Sequence, residues 1–115
     1  MKATILGLLL LCSTSVWAVP SLEDCEQSKP TPDSSSKEIA DYSVCVNYLG
    51  GMVVADQGHR FQGAKPWMGC VPNDVKDGEQ LRLALVEYVR EHPRQRDLII
   101  AELAARAFSE EWPCE

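Results

Sequence analysis

Four cysteines, Cys25, Cys45, Cys70 and Cys114, lie beyond an amino-terminal leader, and no other feature of this sequence restricts its fold as strongly. The leader reads as residues 1–18. Lys2 supplies a positive start, "ATILGLLLL" from Ala3 to Leu11 an apolar run too short to span a bilayer, and "VWA" from Val16 to Ala18 a small-x-small cleavage signal. Cleavage after Ala18 removes Cys12, and Leu11 is too large for the small residue that lipoprotein processing before Cys12 would want. An even count of four in a small exported chain reads as two disulfides. Residues 19–115 form one small domain whose core alone is marginal. Closing loops of roughly 20 and 45 residues adds on the order of 3 and 4 kcal/mol in the chain-entropy model.

The whole sequence carries 11 Lys and Arg against 17 Asp and Glu. Losing Lys2 with the leader leaves 10 against 17, a formal charge of −7. That acidity argues against nucleic acid or an anionic membrane as partners and permits a basic protein partner.

Helical spacing dominates the chain beyond the leader. Ser21 caps a short turn in "SLEDCEQ", and "SKPTPDSSSK" from Ser28 to Lys37 is a flexible loop by its Pro, Ser and Asp content. From Glu38 to about Asp56, Ile39, Tyr42, Val46, Leu49 and Val53 recur at steps of three and four, one face of a helix. Gly50 and Gly51 within it cost about 1 kcal/mol each, which predicts close approach of another helix or else a break there. "QGHRFQGAKPWMGCVPND", from Gln57 to Asp74, has no periodicity and reads as an ordered loop pinned by Cys70, with Phe61, Trp67 and Met68 to bury or to present. Asp77 caps the next helix, with Gln80 at the capping-box position and Leu81, Ala84, Leu85 and Tyr88 as its stripe, and His92-Pro93 ends it. A last helix is expected from about Arg94 to Glu111, with Leu98, Ala101, Ala105, Phe108 and Trp112 on one face, stopped by Trp112-Pro113. The expected fold is an all-α bundle of about four helices stapled by two disulfides.

No catalytic set emerges. The two histidines are His59, placed in a loop, and His92, read as a charge partner for a helix C-terminus. His59 with Cys70 makes a poor nucleophile pair when the cysteines are bridged. The cysteine spacings offer no C-x-x-C pair for zinc, and no glycine-rich phosphate loop follows a strand. Glu87, Glu91 and Glu102 read as solvated helix faces. The expectation is a protein with no enzymatic activity, metal or cofactor. Binding remains, with Phe61, Trp67 and Met68 as candidate partner-binding residues.

"CVNYLGGM" from Cys45, "GCVPNDVKDGEQLRLALVEYVREHP" from Gly69, "LIIAELAARAFSEEWPC" from Leu98 and the upstream "LEDCEQ" together resemble the Tai/Rap-type immunity proteins of bacterial type VI secretion. The likeness spans nearly all of residues 19–115, in order. An acidic residue that often follows the glycines closely comes later here, at Asp56. The resemblance implies a periplasmic all-α protein, often a homodimer, that occludes the active site of a toxic effector, typically a peptidoglycan amidase. Two other classes share the size and export: a small periplasmic helical chaperone of the acid-stress type, and a structural envelope protein. A periplasmic pull-down separates them, since immunity implies one stoichiometric partner and a chaperone many unfolded clients.

Four cysteines allow three pairings. The flexible loop between the first two helical segments lets Cys25 meet Cys45. That leaves Cys70 for Cys114, closing a helical hairpin at its open end. The rival pairing, Cys25 with Cys114 and Cys45 with Cys70, stays open.

Overall fold

The computed structural model describes residues 19–75 and 77–115; residues 1–18, over which a leader is expected, lie outside them with Cys12. Among the described residues four α-helices succeed one another: α1 Leu22–Glu26, α2 Ser36–Phe61, α3 Gly78–Glu91 and α4 Ile100–Glu111, with a 3-10 turn Pro93–Gln95 between α3 and α4. Among the described residues there is no strand, and no helix is long and apolar enough to cross a membrane.

Reciprocal side-chain caps start the first two helices. The Ser21 hydroxyl accepts from the Asp24 amide at 3.2 Å while the Asp24 carboxylate accepts from the Ser21 amide at 2.9 Å. Ser35 and Glu38 repeat the arrangement at the start of α2. That box starts α2 ahead of the expected Glu38, and the helix runs on to Phe61, taking in five residues that had read as loop. At α3 the Asp77 side chain accepts from the Glu79 amide at 2.9 Å. Gln80 makes no reciprocal box; its own amide donates to the Asp77 carbonyl. α3 stops before Pro93 as expected, but Pro93–Gln95 turns separately and α4 begins at Ile100 instead of Arg94.

The core gathers Leu49, Leu85, Leu103 and Phe108 from α2, α3 and α4, all fully buried. Two expected stripes are turned from their predicted positions. On α2 the buried face is Cys45, Leu49, Val53 and Asp56, with Ile39 exposed. On α4 it is Ile100, Leu103, Ala104, Ala107 and Phe108, with Ala105, Leu98 and Trp112 at its margin.

Gly50 and Gly51 neither break α2 nor admit a helix: no neighbouring atom lies within 4 Å of where a Cβ would stand on either. Close approach occurs instead at Gly78, where a Cβ would sit 2.7 Å from the Val46 Cβ, so the first residue of α3 has to be small to rest on α2.

The disulfides pair Cys25 with Cys45 and Cys70 with Cys114, with Cα separations of 5.2 and 5.0 Å, and this excludes the rival pairing. The first bridge is buried and ties α1 to α2. Beside it lies a polar knot. Arg82, almost fully buried, donates to the Cys25 carbonyl at 3.1 Å and holds the Glu79 carboxylate through two nitrogens at 2.6 and 2.8 Å. The Tyr42 hydroxyl donates to the same carboxylate at 2.6 Å. One guanidinium thereby satisfies a carbonyl near the end of α1 and a carboxylate that also binds α2.

Candidate interaction surface

The last turns of α2 organise the segment beyond them. Asp56 is buried, and its carboxylate accepts from the Trp67 amide at 3.2 Å. Gln57 donates to the Val71 carbonyl at 3.2 Å, and Arg60 reaches the same oxygen at 3.5 Å. Arg60 Nε also lies 3.4 Å from the Asp56 carboxylate, an ion pair too poorly aligned for a hydrogen bond. The helix end is closed by the Ala64 amide donating to the His59 carbonyl at 2.9 Å, with Gly63 at a positive φ of 91°. His59 therefore belongs to the last turn of α2, and Cys70 is bridged, so no Cys-His pair forms.

Beyond Trp67 the chain is held on the other side. Met68 is fully buried in the core. Gly69 lies against the end of α4, and the Cys70 amide donates to the Trp112 carbonyl at 2.7 Å. The three residues singled out in the sequence thus divide. Phe61 is 94% exposed and Trp67 49%, whereas Met68 is 0% exposed and presents nothing at the surface. Phe61 and Trp67 project from a helix end and a loop whose backbone is fixed by Asp56, Gln57 and the Cys70–Cys114 bridge.

Two further features were missed in the sequence. A groove of about 520 Å³ runs along α2 beside Gly50 and Gly51, floored by Val46, Val53 and Leu81 and edged by Asn47 and Asn73. Two adjacent helical glycines facing open space were its only sequence sign. The second feature joins the end of α3 to α4, where one metal-ligating atom from each of Glu91, His92 and Glu110 lies within 4.8 Å of the others. Periodicity alone could not show it, because Glu110 comes from a different helix.

The fold and surface define a class: a small all-α protein, stapled by two disulfides, of the kind that matures in an oxidising compartment. Residues 11–114 match the family model of the Rap1a immunity proteins, and the chain belongs to that family. No curated protein and no solved structure matches it. Membership in an immunity-protein family implies a cognate effector as the partner, and such families are generally not enzymes.

Proposed function

We propose that the chain is exported by cleavage after Ala18 and acts in the periplasm as the immunity protein for one type VI secretion effector, a peptidoglycan amidase. It acts by occlusion, covering the effector's active-site cleft so that substrate is excluded, and performs no catalysis of its own. The observation that carries this reading is the presentation of Phe61 and Trp67, two large apolar side chains exposed at the end of α2 and on the loop after it, where the Asp56 hydrogen bond and the Cys70–Cys114 bridge hold the backbone. Exposed aromatics on a preordered backbone lose little entropy on binding and are enriched among the residues that dominate interface energy. The formal charge of −7 on residues 19–115 would speed encounter with a basic cleft. The family's usual homodimer is part of the proposal.

Co-expression tests it. Cells producing the cognate effector in their periplasm, sought among any effectors encoded near this gene, should survive when the exported protein is present. The two proteins should also co-purify at fixed stoichiometry. Survival with no complex, or capture of many unfolded periplasmic proteins in place of one partner, would point to the chaperone class. Mass spectrometry of the native protein showing Met1 retained would end the export proposal, and light scattering showing a monomer at micromolar concentration would end the dimer.

A further inference from the structure

At the end of α3 stands a group of side chains used neither by the core nor by the proposed interface. Glu91 is the last residue of α3, His92 its cap, and Glu110 reaches them from the last turn of α4. The imidazole of His92 is held in place. Its Nδ1 lies 2.9 Å from the Tyr88 carbonyl oxygen, and its ring stacks on the Tyr88 ring with centroids 4.1 Å apart and planes 21° from parallel. A carbonyl oxygen only accepts, so the bond requires the proton on Nδ1 and leaves the lone pair on Nε2. Metal-binding histidines are oriented in the same way, one nitrogen donating to a carbonyl and the other ligating.

The surrounding charges favour a cation. Among the described residues neither Glu91 nor Glu110 forms an ion pair with a lysine or arginine: Arg94 borders the hollow of Glu91 and His92 without pairing, and Arg106, which lines a cleft with His92 and Glu110, is engaged by Glu102 at 2.8 Å. The donor set is one imidazole nitrogen and two carboxylates. Calcium and magnesium take oxygen ligands, whereas mixed imidazole and carboxylate donors suit zinc.

We propose that Glu91, His92 and Glu110 form a zinc site, with water in the remaining coordination position, pinning the end of α3 to the last turn of α4. Trp67 lines the cleft that holds His92 and Glu110 and provides an internal optical reporter. The site does not depend on the immunity reading and can be tested on the isolated protein.

The experiment is calorimetric titration of the metal-free, disulfide-intact protein with zinc chloride at neutral pH, alongside Trp fluorescence. One zinc per chain is expected, with His92→Ala and Glu110→Gln each weakening binding by at least about tenfold. Glu87→Gln, an exposed residue paired with Arg90 at 3.1 Å, should leave affinity unchanged, and calcium and magnesium should not bind. Glu110 is exposed, so its variant will fold and decides the matter if His92→Ala is unstable. Absence of saturable zinc binding in the parent protein overturns the site. So does binding that survives Glu110→Gln, or that falls equally with Glu87→Gln.

Discussion

The Cys70 amide donates to the Trp112 carbonyl at 2.7 Å, two residues before the cysteine with which Cys70 is bridged. The hydrogen bond and the disulfide fasten the same two segments. Trp112 leaves the helix at φ −127° and ψ 71°, a conformation suited to the residue before Pro113, and this turns Cys114 back toward the loop. Removing the bridge frees a loop spanning 44 residues of sequence separation. Cys114→Ser should therefore lower stability by about 4 kcal/mol, and Cys70→Ser by about the same. Because both remove one bridge, the double variant should match either single one in urea denaturation; additive losses would show that one of the thiols has a separate role.

Gly69 is where that fastening admits no side chain. A Cβ there would lie 2.6 Å from the Phe108 carbonyl oxygen and 2.8 Å from both the Ser109 Cα and the Trp112 carbonyl oxygen, on a backbone already at φ 71°. All three are backbone atoms of the α4 end and cannot move aside cheaply. Gly69→Ala should cost about 3 kcal/mol or more through strain. Gly51→Ala is the control: it faces open space inside a helix and should stabilise by about 1 kcal/mol. Similar effects from the two substitutions would contradict the close packing of Gly69 on α4.

Much of this architecture was legible because local chemistry and tertiary need agree. Ser21 and Asp77 sit where caps are required, Pro93 and Pro113 end helices, and the cysteine pairing follows from a flexible loop beside a helical hairpin. The misreadings have separate causes. Alanines at 101, 104, 105 and 107 of α4 give no periodic contrast, so a core of Ile100, Leu103, Ala104 and Ala107 could not be told from its neighbours. Asp56 and Arg82 escaped because charged residues read as solvated, while the fold buries each against a partner distant in sequence, the Trp67 amide and the Cys25 carbonyl. On the interaction surface, spacing could mark Phe61, Trp67 and Met68 as apolar; only the three-dimensional path of the loop separates Met68 from the other two.

The Arg82 knot should impose a pH signature at both ends of the scale. Burial first, and then its hydrogen bond to Glu79, push the Tyr42 hydroxyl from its ordinary 10.0 up to about 12. A folded pKa raised above the unfolded one means stability present in full below pH 10.0 and lost as pH rises through about 12. Glu79 moves the other way, held below its ordinary 4.5 chiefly by the Arg82 hydrogen bonds, so its contribution is present above pH 4.5 and lost as pH falls through the lower folded value. Tyr42→Phe removes the alkaline component, and with it the lesser part of the Glu79 depression that its hydroxyl supplies. Urea midpoints tracked from about pH 9 to about pH 12 should fall less steeply in the variant than in the parent. Parallel curves would exclude Tyr42 as the source. Arg82→Ala takes the guanidinium from the partly buried Glu79 carboxylate and the Cys25 carbonyl and should cost about 3 kcal/mol near neutral pH.

Phe61, Trp67 and Met68 allow binding and folding to be separated within one short segment. Met68 is fully buried, so Met68→Ala should cost about 2–5 kcal/mol of stability through lost burial and the cavity left behind. Phe61 is 94% exposed and packs on nothing that its removal would uncover, so Phe61→Ala should change stability by less than about 0.5 kcal/mol. Trp67, half-exposed, should fall between them. Affinity for the effector should show the reverse order. Phe61→Ala and Trp67→Ala should each weaken the complex by about 2 kcal/mol or more, roughly thirtyfold, if they sit at its centre. Met68→Ala, measured where it remains folded, should bind nearly as the parent does. The decisive comparison is surface-based affinity beside urea denaturation for all three variants. An effector that binds Phe61→Ala and Trp67→Ala as tightly as the parent would move the interface elsewhere, and the groove beside Gly50 and Gly51 would then be the next surface to test.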